Sequence, residues 1–389
     1  MATAVSWQEA KTVDPAYDAV KPDDFPAMME ADRYGQRSTA FDKIISATHD
    51  HFWDPLDTKY IDFSQPFDLE NEYLMPEKFV PDFSSAIVDK LDTKQKIRFL
   101  NANVHFTLSN ILHGEQGALN LSASLCHILR DPGAQEYAAN QTREEARHVH
   151  GFSRYIKARW GKPVPAGKVF TDLLVEMVGT DQVWKKLVGM QMILEGLAMG
   201  IFATMYNDTS DPLLRKLMQL TMTDEAFHHK FGKIWADRTV PKLSVEERDK
   251  VEDWALQVFM TLLQNGMAAS QKKYIYDALG IDFQWAQAAL MEAMTDEYRR
   301  KQLQESANIF RTLIKTLLKA GIITQRTAPS YAAFVDMAAL HAEGDSMPGD
   351  AIAEEGIKYL KAINGGEMRL AREACWRPSN REGGERCQA

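Results

Sequence analysis

The chain holds 389 residues, 45% hydrophobic and 25% charged, with a formal net charge of −9. That apolar content is ample for a large core. The scarcity of Gly (22) and Pro (15) disfavours turn-rich all-β and low-complexity classes, and the acidic balance lacks the basic field of a nucleic-acid binder. Cys126, Cys375 and Cys387 are far apart with no CxxC spacing, which argues against zinc ribbons, iron–sulfur clusters and a disulfide framework and fits a reducing cytoplasm. No apolar leader opens the sequence and no uninterrupted apolar run approaches 18 residues, so neither a signal peptide nor a membrane partner is expected.

In chain order, residues 1–90 read as an irregular arm that wraps a body. Six prolines fall between Pro22 and Pro81, and Phe52, Trp53, Tyr60, Phe63, Phe67, Tyr73 and Phe79 are too many aromatics for a free tail. One helix is expected near 35–52. From 91 to 365 the pattern predicts long helices. One starts at a Thr93 cap and ends at Asp131-Pro132-Gly133; the next runs to Gly161. Helices follow near 167–179, 181–207, 212–238, 244–275 (opened by a Ser244/Glu247 capping box), 283–320, 328–341 and 349–364. Residues 366–389 read as a polar tail. The whole predicts one all-α domain, a four-helix bundle with additional helices and an N-terminal arm.

Two Glu-x-x-His motifs stand out, Glu145-Ala-Arg-His148 and Glu225-Ala-Phe-His228, each preceded by a mid-helix glutamate thirty residues earlier, Glu115 and Glu195. On a helix, residues i and i+3 share a face, so each motif offers a carboxylate and an imidazole together. The whole pattern repeats at an offset of 80 residues, including the Asp131-Pro132 and Asp211-Pro212 turn signals. In each hairpin the lone Glu and the motif lie about 15 residues, or roughly 22 Å, from the turn. They should therefore meet at one level, and two such pairs packed together bring four glutamates and two histidines to one point. Four carboxylates balance two divalent ions, and hard oxygens with two imidazoles suit iron or manganese.

One Glu-x-x-His alone is unremarkable, and a surface helix carries such pairs freely. Glu195 instead sits in QMILEGLAMGIF, where an unpaired carboxylate is costly to bury. Glu144 and Asp224, one residue before each motif, are candidate acceptors for the outer N–H of the histidines, with Arg147 as their counter-ion; the plain alternatives are solvated acids and a surface ion pair. His150 and His229 point about 160° and 100° away from the motif face. They read as ordinary polar contacts, as does His113, and His49 and His51 read as structural. Gly114, Gly117, Gly196 and Gly200 serve either close helix packing or room beside the metals. In the second case Leu112, Leu119, Phe152, Met192 and Met199 would line a substrate pocket, although apolar stripes are more often plain core.

Glu115, Glu145-x-x-His148, Glu195 and Glu225-x-x-His228 resemble the ferritin-like diiron-carboxylate superfamily, strongly over about residues 92–240. The resemblance implies two Fe ions bridged by carboxylates, with Mn/Fe as a variant, and O2 as cosubstrate. It implies a diiron oxygenase that hydroxylates, epoxidises or N-oxygenates a small-molecule or carrier-bound organic substrate. An acyl desaturase, a ferroxidase and an inert bundle subunit are the alternatives. Electrons would come from a reductase or ferredoxin, and a homodimer is expected. Acids before each motif glutamate are similar to bacterial monooxygenase hydroxylases. Met199 stands where those proteins often place a threonine. Phe152 stands where reductase small subunits carry a radical tyrosine. Arylamine N-oxygenases add a histidine shortly before the last motif; LMQLTMTDEAFH has none, so that group is the poorer fit.

Overall fold

The computed structural model describes residues 14–266, 269–295, 298, 309–344 and 349–365. The predicted C-terminal tail, Cys375 and Cys387 lie outside them. Among the described residues the chain is helical without strands; extended pairing is limited to one bridge, Ala19 with Leu129.

We number the helices of nine or more residues. The arm contributes α1 (Asp42–Asp50), shorter than the predicted 35–52, plus several single turns. Then come α2 (Thr93–Ile128), α3 (Pro132–Trp160), α4 (Lys168–Gly179), α5 (Val183–Asp208), α6 (Pro212–Thr239), α7 (Val245–Gly266), α8 (Phe283–Ala293), α9 (Ile309–Lys319) and α10 (Asp350–Asn364).

Local chemistry sets the boundaries. The cap of α2 is Asp92, not Thr93: its carboxylate accepts from Gln95 N at 2.8 Å while the Gln95 side chain accepts from Asp92 N at 3.0 Å. A reciprocal box satisfies two end groups at once, which a lone threonine does not. Asp131 and Asp211 cap α3 and α6, each followed by a proline at the first helical position. Gly161 (φ 83°) closes α3 in the left-handed conformation that glycine adopts without strain.

Helices α2 with α3, and α5 with α6, form antiparallel pairs, and α3 packs on α6 to join them. Helix α9 lies on α5, α10 on α6, and α7 covers the start of α5. Helix α5 is long and apolar enough to cross a membrane, yet 72% of its most apolar window is buried within the bundle, as expected of a core helix. Its segment Leu187–Leu194 is a π-helix, absent from the matching stretch of α2. At Gly200 a Cβ would meet the Ile309 backbone oxygen at 2.7 Å, so α5 and α9 approach too closely for any larger residue.

Candidate metal centre

Helices α2, α3, α5 and α6 bring Glu115, Glu145, His148, Glu195, Glu225 and His228 together in the bundle interior, all of them buried. The contacts cross in a regular way. His148 Nδ1 lies 3.2 Å from Glu115 Oε2, 3.3 Å from Glu145 Oε2 and 3.1 Å from Glu225 Oε1. His228 Nδ1 lies 3.0 Å from Glu145 Oε1 and 3.0 Å from Glu225 Oε2. Glu145 and Glu225 thus each turn one oxygen toward each histidine, so either carboxylate could serve two ions at once. Glu115 stands on the His148 side. Glu195 stands close to Glu225 and Glu145, and Gln141 Nε2 lies 3.5 Å from its Oε1.

The outer ring nitrogens are held from behind, crosswise between the hairpins. His148 Nε2 donates to Asp224 at 2.8 Å, and His228 Nε2 donates to Glu144 at 2.9 Å. With Nε2 held from behind, Nδ1 of each ring faces the carboxylates, and it would offer its lone pair to an ion once that ion displaces its proton. Arg147 donates to Asp224 from Nε at 2.9 Å and again from Nη2, and that Nη2 lies 3.6 Å from Glu144.

Electrostatics within the centre favour a cation. Burial pushes the Glu115 carboxyl up to about 8, against the pull of His148 and with the push of Glu225 and Glu145. Burial, with the charges of Glu225 and Glu145, also raises Glu195 well above the carboxylate range. Glu225 and Glu145 move down: burial opposes their charge, but the histidines outweigh it. Burial likewise opposes charge on His148 and His228, and the surrounding carboxylates hold both well above the usual imidazole value. Protons therefore gather where divalent ions would otherwise sit, and metal binding would release them. The donor set fits such ions. Glu145 Oε2 and Glu225 Oε1 are buried with no hydrogen-bond donor, and one ligand atom from each of Glu145, His148, Glu225 and His228 falls within 4.8 Å of the others.

Several residues here carry no motif. From the arm, Trp53 Nε1 donates to Asp224 at 2.9 Å and its ring stacks 6.1 Å from His148. His51 is fully buried against the Phe227 ring, with Nε2 3.4 Å from Asp224. Gln141 Nε2 donates to Glu145 at 3.0 Å while its oxygen accepts from Gln191 at 3.0 Å. The clue for these two glutamines was spacing: each lies four residues, about one turn, before a ligand glutamate. The crowding of His51 and Trp53 in ATHDHFWDP was the only local sign of the others.

A cavity of about 220 Å³ opens beside Glu115 and Glu195, walled mainly by α2 and α5. None of the five expected lining residues borders it. Residues 107, 111, 114 and 118 do, on one flank of Glu115, whereas Leu112 and Leu119 lie on the other flank of the same helix. Met192 points toward Gly232 of α6, and Met199 toward Gly349 before α10; Leu194 and Ala198 take the wall instead. Phe152 sits one layer back, stacked on the wall residue Phe202 at 5.7 Å. Gly114 is a cavity-wall residue, while Gly200 serves packing.

An all-α bundle whose paired hairpins converge two Glu-x-x-His motifs and two further glutamates defines the ferritin-like dinuclear-carboxylate class. Residues 35–317 match the family described as P-aminobenzoate N-oxygenase AurF. The match spans most of the chain, and the protein belongs to that family. This corrects the lower rank given above to arylamine N-oxygenases, which rested on one missing histidine. Thr221 stands one turn before Glu225 here, and the match runs over residues 35–317, far beyond that position.

Among solved structures, an R2-like ligand-binding oxidase with aerobically reconstituted Mn/Fe cofactor is 18% identical, covering 66% of this chain and 90% of that one at TM-score 0.40. A variant of such an oxidase with Fe/Fe cofactor is 17% identical, with the same coverages and TM-score 0.40. No curated protein matches the chain significantly.

Proposed function

We propose that the protein is a non-haem diiron N-oxygenase that uses O2 to oxidise the amine of a small aromatic substrate. The observation that carries this reading is the crossed pattern in which Glu145 and Glu225 each face both His148 and His228, beside a cavity bordered by Glu115 and Glu195. Glu115 and His148 would hold one ion, and Glu195 and His228 the other, with Glu145 and Glu225 between them. Two iron ions, or a Mn/Fe pair, supply dioxygen activation when bound.

The chain's own residues do the rest. Asp224 and Glu144 fix the histidine rings through their Nε2–H groups, Gln141 orients Glu145, and Arg147 balances the outer acids. Apolar walls from Phe106, Ile111, Phe170, Ile201 and Phe202 hold an aromatic ring and exclude water. Electrons are proposed to come from a separate reductase or ferredoxin, and the protein is proposed to act as a cytoplasmic homodimer. Among the described residues Cys126 forms no disulfide, in keeping with a reducing compartment.

The test loads metal-free protein with ferrous iron anaerobically, counts metal, then adds isotopically labelled O2, a reductant and 4-aminobenzoate. Two irons per chain and label in an N-oxygenated product are expected. Iron uptake well beyond two per chain without organic product would overturn the reading in favour of iron handling. Turnover only on a carrier-bound acyl chain would select a desaturase.

A further inference from the structure

The π segment Leu187–Leu194 leads directly into Glu195, whose backbone N–H donates to the Met190 carbonyl. A bond of that type closes its turn over five residues instead of four, so Met190 stands one turn before Glu195. Regular α-helix would turn the two residues about 140° apart. With the π segment, both border the same cavity. Ala118 borders it too, about one turn after Glu115 on α2, so the thioether lies at the metal-centre end of the space.

Three other methionines lie as near to the ligands along the chain. Met192 precedes Glu195 by three residues, Met199 follows it by four, and Met222 precedes Glu225 by three. All three are buried, but Met192 faces Gly232, and Met199 and Met222 face Gly349. Among the described residues Met190 is the one methionine on the cavity wall. It is 1% exposed to solvent, whereas Met29 is 55% exposed and Met291 78%. A thioether that only filled a gap in the core would be shielded as its neighbours are. This one is the most readily oxidised side chain facing the cavity.

We propose that Met190 is a modification site, converted to its sulfoxide when dioxygen is activated while the cavity holds no substrate. The sulfur gives an electron pair to one oxygen atom and forms the S–O bond. The other atom takes two electrons from the ferrous pair and two protons, and leaves as water. Sulfide, O2, two ferrous ions and two protons thus become sulfoxide, water and two ferric ions. This rests on the reading of the centre as an O2-using diiron site. The product places a polar oxygen in an apolar wall, which disfavours an aromatic occupant.

Single-turnover labelling tests it. Ferrous-loaded protein is mixed with isotopically labelled O2, without amine or added reductant, and its methionine peptides are read by mass spectrometry. Labelled sulfoxide at Met190 should exceed that at Met192, Met199, Met222, Met29 and Met291 about tenfold or more, and metal-free protein should carry none. Peroxide released to solvent would instead mark the exposed Met29 and Met291 first. Excess 4-aminobenzoate should lower the Met190 label about tenfold as the amine takes the oxygen. Consumption of O2 without label at Met190, label spread over the buried methionines or concentrated on the exposed ones, or Met190 label unchanged while the amine is oxidised would each overturn the proposal. The unmodified protein suffices, so no variant has to fold. If Met190 is labelled and the amine is not oxidised, the N-oxygenase reading fails and the modification site stands. If no O2 is consumed, the diiron reading and the proposal fall together.

Discussion

The two hairpins, α2–α3 and α5–α6, carry the same ligands at an offset of 80 residues but stand in different surroundings. Behind His148, Asp224 is held by Trp53 and doubly by Arg147, with His51 beside it. Behind His228, Glu144 holds the ring, with Arg147 Nη2 3.6 Å away and His51 within reach of both acids. On the other face, Gln141 and Gln191 brace Glu145, while their counterparts at the same offset are Thr221 and Ile111. Repetition supplies the ligands, and the unrepeated neighbours make the two metal positions chemically unequal.

The largest effect should come from what the hairpins share. Glu145→Ala or Glu225→Ala removes a carboxylate facing both histidines, so metal content should fall below one ion per chain by elemental analysis. Loss of just one ion would show that the two positions do not depend on a common bridge.

The unequal part comes next. Asp224→Asn should weaken metal retention about 100-fold and Glu144→Gln about 10-fold in chelator competition, the two ends of the range for residues that hold a ligand histidine. Equal losses would show that the extra partners of Asp224 add nothing. A smaller effect is expected from Trp53→Phe, which deletes one donor to Asp224 and keeps the ring: about 1 kcal/mol of stability, read as a lower melting temperature.

A last test concerns a difference remote from the ligands. Lys186 of α5, where α2 has Phe106, donates to Ser124 Oγ at 2.8 Å and to the Val178 carbonyl at 2.6 Å. Burial lowers its ammonium from 10.5 to about 8. Between those values the folded chain holds fewer protons than the unfolded one, so stability should rise as pH climbs from about 8 to 10.5. Denaturant melts should show that rise, and Lys186→Met should flatten it.

What could be read beforehand follows from the range of each signal. Helical phase and caps are local, so Glu115, the two motifs and the Asp131 and Asp211 starts were visible in spacing alone, as was the all-α class. The cavity wall was misplaced because the flank of Glu115 that faces open space depends on how α5 lies against α2, and α5 carries a π segment that no composition announced. Trp53 and His51 lay in a stretch with no periodicity, and their partner Asp224 is far along the chain. Lys272 ends a short turn after α7 and borders the cavity, a position that no local pattern announces.

The hydrogen bond from Trp53 to Asp224 also has a temporal side. Its partners are 171 residues apart, so a ribosome that has just made the indole needs roughly 10 to 30 s more to supply the carboxylate. The arm must wait through the synthesis of α2 to α5 before it can dock. Glu115 and the first motif emerge long before the second, so a nascent chain offers half a site that cannot yet hold a pair of ions. Completion of α6 is the first moment at which metal capture and arm docking can reinforce each other.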